Sequence, residues 1–166
     1  GHADQRIRLE AQFELARRNR LEELLDIATD PKAKLLARVH AQWGLGQLTI
    51  NDRQAKRLAG QLPFDDASFE IRAQAAKLAG TLKLKPAAGS LVKLLNDNNA
   101  RVQFHAAMSL GQAGSRSTAP ALLTLLDHNN DEDPYIRHAA IMGLVGSASA
   151  GQLAQNARHP SSAVRA

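Results

Sequence analysis

The residues whose types and spacing come nearest to a metal site are His40 and His105, at equivalent points of an internal repeat, and an oxygen-rich run from Asp127 to Asp133. Imidazole nitrogens suit zinc and related ions, whereas alternating oxygen side chains suit a hard cation such as calcium. Neither pattern is complete. His40 and His105 are two repeats apart, and helices packed at about 9 Å place them too far from one another to share an ion. The run Asp127-His128-Asn129-Asn130-Asp131-Glu132-Asp133 lacks the glycine of a calcium loop at its sixth position, and His138 stands where the closing glutamate would be. It reads as a solvated turn between helices, and no metal or other cofactor is expected.

Catalytic spacing is equally sparse. There is no Gly-x-Ser-x-Gly elbow, no His-Glu-x-x-His helix and no glycine-rich phosphate loop. The chain has no cysteine, which removes thiolate nucleophiles and disulfides without choosing a compartment. On these grounds the chain is expected not to be an enzyme.

The elements that would position any site are written in a repeat, apolar-basic-x-x-Ala-x-x-x-Leu-Gly, which begins six times. The leading apolar residue is Ile7, Ala37, Ile71, Val102, Ile136 and Val164. The next position is basic (Arg8, Arg38, Arg72, Arg137, Arg165) except at Gln103. Ala11, Ala41, Ala75, Ala106 and Ala140 follow four residues after the lead, and Leu15, Leu45, Ala79, Leu110 and Leu144 follow eight after it, so these positions share one helical face. Alanine there allows close approach by a neighbouring helix, and Gly46, Gly80 and Gly111 read as stop signals.

Shorter apolar patterns lie between the motif helices and predict partner helices: Leu21-Leu24-Leu25-Ala28, Ala55-Leu58-Leu62, Leu91-Val92-Leu94-Leu95, Leu122-Leu123-Leu125-Leu126 and Leu153-Ala154-Ala157. Pro86 and Pro120 suit first turns, and Asp30-Pro31, Asp65-Asp66, Asn98-Asn99, Asp133-Pro134 and Ser161-Ser162 separate partner from motif helix. One helix pair cannot bury its apolar face alone. The expected fold is therefore all-α, a right-handed α-solenoid of about five helix pairs stacked into one domain. Residues 1–2 read as a tag remnant and residues 3–166 as a single repeat domain, truncated from a longer protein at one or both ends.

Composition agrees. Aromatic residues make up 4% of the chain, too few for a typical β-sandwich core, and hydrophobic residues 44%, enough for a core. The net charge of +5 is spread along the chain, with only Arg17, Arg18 and Arg20 clustered. No apolar run approaches the roughly 20 residues of a membrane span.

The repeat resembles HEAT repeats of the short bacterial type also found in phycobilisome lyases, most clearly at 101–114 and 136–146, and the likeness covers essentially the whole chain. HEAT families place an aspartate about six residues before the motif arginine. Asp66/Arg72 and Asp131/Arg137 keep that spacing, while Asp97 faces Gln103 and one rung is lost. The resemblance implies a structural ladder of Arg38, Arg72, Arg137, Asp66 and Asp131 that braces adjacent repeats. Residues 38–45, 133–139 and 159–165 look like the HEAT region of large secreted planctomycete-type proteins. That likeness implies a sugar-dehydrogenase-like propeller and a haem c domain as neighbours, a periplasmic or secreted setting, and any oxidoreductase activity in the parent.

Counting each motif helix from its leading residue, positions +3, +6 and +10 fall opposite or beside the packing face and are expected to line a groove for a partner. They supply His40, Gln74 and His105; Trp43, Lys77, Met108 and Met142; and Gln47 and Gln112, with Phe13, Glu10, Ala139, Arg17 and Thr81 at the remaining equivalents. Such a mixture of aromatic, thioether and amide groups suits a protein surface. The alternative for Trp43, Met108 and Met142 is that they fill space between motif helices. The expected function is a protein-interaction or spacer module, monomeric, whose partners are another protein or flanking domains of the same chain. Nucleic-acid or phosphate-backbone binding through a basic surface is the rival.

Overall fold

The computed structural model describes residues 2–165. Gly1 of the expected tag remnant and Ala166 at the end of the sixth motif lie outside the described residues. The helices are α1 (Gln5–Arg17), α2 (Leu21–Thr29), α3 (Leu35–Leu45), α4 (Asp52–Gln61), α5 (Phe69–Thr81), α6 (Ala88–Leu94), α7 (Ala100–Ala113), α8 (Ala119–Asn129), α9 (Pro134–Ser147), α10 (Ala150–Gln155) and α11 (Ser162–Arg165). Short 3₁₀ turns at Lys85–Ala87 and Arg116–Thr118 lead into α6 and α8. The motif helices are the odd-numbered ones, and each successive pair of them from α1 to α9 is in contact. Partner helices α2, α6 and α8 pack on α3, α7 and α9. The fold is an α-solenoid, and no helix among the described residues is long and apolar enough to cross a membrane.

The helix starts follow local chemistry. Asp4, Asn99 and Asp133 accept backbone N–H groups of the first turns of α1, α7 and α9, while Asn51 with Gln54 and Ser149 with Gln152 form reciprocal capping boxes. Proline occupies the first turn of α8 and α9, where its missing N–H costs nothing. The core runs along the interior face as Leu24, Leu45, Leu58, Ile71, Leu84, Leu91, Leu110 and Leu122, all essentially inaccessible.

Two expectations need correction. The motif face is buried in α5, α7 and α9, but in α1 Ile7 is 49% exposed and Ala11 is exposed, because α1 meets a motif helix on one side only among the described residues. The motif glycines are not left-handed stops, since no glycine among the described residues has positive φ. Gly80 lies within α5, where a Cβ would come within 2.7 Å of Ser109 Cβ, and Gly146 lies within α9 against Gly111 of α7. Their hydrogen side faces let consecutive motif helices come into near-backbone contact.

Candidate functional site

The outward side of α3, α5 and α7 carries a trough. One hollow of about 170 Å³ is lined by Trp43, Gln47, Gln74, Lys77 and Thr81 among others, and a wider one of about 420 Å³ by Lys77, Thr81, Phe104, His105, Met108 and Gln112. They share Lys77 and Thr81, so the depression is continuous across three helices. A further hollow of about 390 Å³ meets it at Phe104 and His105 and reaches Arg101 and Tyr135.

Position +6 faces this trough. Trp43 is 42% exposed, Lys77 is exposed and Met108 half-buried; Met142 and Phe13, further along the row, are also exposed. The +10 residues Gln47, Thr81 and Gln112 are exposed as well. Position +3 differs from expectation: His40 and Gln74 are buried, Ala139 is buried and His105 half-buried. Motif helices approach closely enough for +3 of one helix to turn into the seam with the helix before it. Trp43 Nε1 donates to Gln74 Oε1 across that seam at 2.9 Å, and Gln74 Nε2 donates to Glu70 at 2.8 Å. Gln74 therefore serves as a bracket for Trp43 more than as a free contact.

His40 is locked in the preceding seam. Arg8 Nε can only donate, so His40 Nε2 accepts from it at 3.3 Å, which leaves Nδ1–H to donate to Gln12 Oε1 at 2.9 Å. Burial, and then the Arg8 charge, push the His40 pKa down. Gln12 went unrecognised in the sequence because it falls outside the repeated positions. His40 also meets the Trp43 ring edge-on at 5.0 Å between centroids. His105 is held below the ordinary imidazole value first by burial, then by Arg101 and Lys77, with Glu70 opposing.

The arginine ladder lies away from the trough, and its pairing is offset from the expected one. Arg38 forms its ion pair with Asp66 of the following repeat and donates to the Ala28 carbonyl. Arg72 holds Asp97 of the following repeat at 2.7 and 2.9 Å and donates to the Asp66 and Ala67 carbonyls of its own repeat. The carboxylate of Asp66 thus belongs to Arg38, and only its backbone oxygen to Arg72. Gln103 keeps the corresponding backbone contact, to Asp97 O at 2.7 Å, and Asp97 is already satisfied by Arg72. What Gln103 lacks is a guanidinium to reach forward to Asp131, which lies instead 3.1 Å from Arg137 in an exposed pair within its own repeat. Burial works to raise the Asp66 pKa, but Arg38 and the Ser68 N–H hold it below its ordinary value; Arg72 does the same for Asp97.

The Arg17, Arg18 and Arg20 cluster is partly offset by two carboxylates: Arg17 and Arg18 share Glu14, and Arg20 pairs with Glu23. In the acidic run, Asp133 caps α9, Asn129 accepts from the Asp133 N–H, and Asp131 faces Arg137. Among the described residues no three His, Cys, Asp or Glu side chains converge as metal ligands.

The family profile described as HEAT repeats matches residues 60–145. A deoxyhypusine hydroxylase from Candida albicans is 27% identical over 128 residues, covering 76% of this chain and 38% of the hydroxylase. A chain in the structure of the CpcE–CpcF complex of phycocyanin lyase from Nostoc sp. PCC7120 superposes with a TM-score of 0.62 at 25% identity, covering 84% of this chain and 59% of that one. The chain spans less than two thirds of the length of each relative. Both relatives bear the names of enzymes, and this overturns the expectation that the chain is not an enzyme. That expectation rested on missing linear motifs, and a solenoid can gather a site from distant repeats without leaving one. Neither relative supports the narrower likeness to secreted planctomycete-type proteins.

Proposed function

Since the chain belongs to the HEAT-repeat family, we propose that it works as a protein-interaction unit whose trough across α3, α5 and α7 docks a segment of a partner protein, within an enzyme or enzyme assembly. The observation that carries this reading is the continuity of the trough through Lys77 and Thr81. Trp43, Met108 and the glutamine amides line it, a mixture of apolar area and hydrogen-bonding groups typical of protein contacts. The Nostoc relative comes from a complex of two proteins, which agrees with a protein partner. Phosphate-backbone binding is less well supported, because the arginines nearest to a patch share two glutamates and leave a net of one positive charge, too little to hold a phosphate backbone.

The test is a random peptide library panned on the folded chain. Selected peptides should lose about tenfold or more in affinity against Trp43→Ala or Met108→Ala, as expected of contact residues, with a cooperative melt of each variant showing that it remains folded. Selected peptides that bind both variants as tightly as the wild type would sink this reading, and so would random-sequence duplex binding with a steep salt dependence.

A further inference from the structure

Resting on that docking reading, we infer that the trough selects a segment bearing a carboxylate, seated at Lys77 beside His105 and within reach of Arg101, with an apolar side chain of the segment on Met108 and Phe104.

Lys77 is exposed on the floor shared by the two hollows and makes no ion pair or side-chain hydrogen bond among the described residues. Trp43, Phe104 and Met108 line the same hollows as Lys77, so a segment seated there would shield its carboxylate–ammonium pair from bulk water and strengthen it. Arg101 borders the same region through Phe104 and His105. It reaches Glu70 at 3.3 Å, but Glu70 is shared with the Gln74 amide, and Arg101 remains 54% exposed. Both cations are felt at His105, where they add to burial in disfavouring a third positive charge. The other charged groups near His105 are Glu70 on α5 and Asp133 on α9, and Asp133 is committed to the α9 N-terminus. The formal charges therefore balance, two cations against two carboxylates, but both carboxylates are engaged, Glu70 by Arg101 and Gln74 and Asp133 by the α9 N-terminus, so the uncommitted charge on the trough floor is the Lys77 ammonium.

The apolar half of the specificity comes from neighbouring residues. Phe104 and Met108 lie one turn apart on α7 and are partly covered by the core, leaving their outer surfaces in the wider hollow. A carboxylate and an aliphatic side chain close together on one segment would meet Lys77 and Met108 at the same time.

Trp43 is the chain's single tryptophan and lines the trough, so its emission reports occupancy. The probes are a short capped peptide of glutamate, leucine and alanine and two counterparts in which glutamine or lysine replaces every glutamate. The glutamate peptide should shift Trp43 emission and bind about tenfold more tightly than the lysine peptide, and Lys77→Glu should reverse that order. Lys77 is exposed, and an unchanged melting temperature will show that the variant is folded. Equal binding of glutamate and glutamine peptides, or an unchanged order in Lys77→Glu, would overturn the carboxylate inference and leave the docking reading standing. Failure of all three peptides while panned peptides bind would do the same. If panned peptides also failed to depend on Trp43, the docking reading itself would fall. Tighter binding of random-sequence duplex than of the glutamate peptide, lost in Lys77→Glu, would assign the site to nucleic acid.

Discussion

Asp97 gives both carboxylate oxygens to Arg72 of the preceding repeat and only its backbone carbonyl to Gln103 of its own. One side chain therefore ties α5 to the start of α7, and the residue six positions on merely fastens the turn. At Arg38 and Arg72 the ladder binds between repeats through charge, and at Arg72 and Gln103 it binds within a repeat through backbone carbonyls.

Removal of the two contacts should separate these roles. Asp97→Ala leaves the largely buried Arg72 guanidinium without its partner and should cost about 3 kcal/mol, whereas Gln103→Ala loses one neutral hydrogen bond and should cost about 1 kcal/mol. Urea midpoints compare the two variants, and equal losses would refute the offset pairing.

The His40 seam predicts a pH dependence with a definite sign. In the unfolded chain the imidazole titrates near its ordinary 6.5, and in the folded chain lower. Below about 6.5 the unfolded state therefore binds more protons, so stability falls as pH drops from there to the folded pKa and this group adds nothing further beneath it. The drop in melting temperature between about pH 7.5 and about pH 5.5 should be smaller in His40→Gln than in the wild type. Parallel drops would show that the Arg8–His40–Gln12 contact is energetically silent.

Glycine positions should respond oppositely to alanine. Gly80→Ala drives a methyl group into Ser109 and should destabilise by about 1–3 kcal/mol, while Gly60, in α4 with nothing within 4 Å of its Cβ position, should gain about 0.5–1 kcal/mol. Thermal melts of the two variants would decide whether the glycine serves close approach at residue 80, and a neutral Gly80→Ala would exclude it.

The Trp43–Gln74 hydrogen bond makes a third contrast. Trp43→Phe keeps an aromatic surface but leaves the buried Gln74 Oε1 without its donor, an expected loss of about 1–2 kcal/mol. A double-mutant cycle with Gln74→Leu should give a coupling of about 1 kcal/mol, and zero coupling would mean that the ring alone holds the seam.

The sequence by itself determined the helices, their order and the division into motif and partner rows. That information is local: capping residues, prolines at first turns and apolar spacing read along the chain, and neighbouring repeats need only one another. It also placed position +6, from Trp43 to Met142, on the outer side, since that follows from helical period alone. Tertiary structure decided the rest. Position +3 turned inward at His40 and Gln74 because each finds a hydrogen-bond partner on the preceding motif helix, Gln12 and Trp43, while Gly80 against Ser109 and Gly146 against Gly111 set the close approach of α5, α7 and α9. The arginines chose their carboxylates by the offset between repeats, which brings the Asp97 carboxylate to Arg72 and leaves Gln103 its backbone carbonyl. Helical period fixes the direction of a side chain from its own axis, but what it meets depends on how far away the next axis lies, and only the packed solenoid specifies that separation.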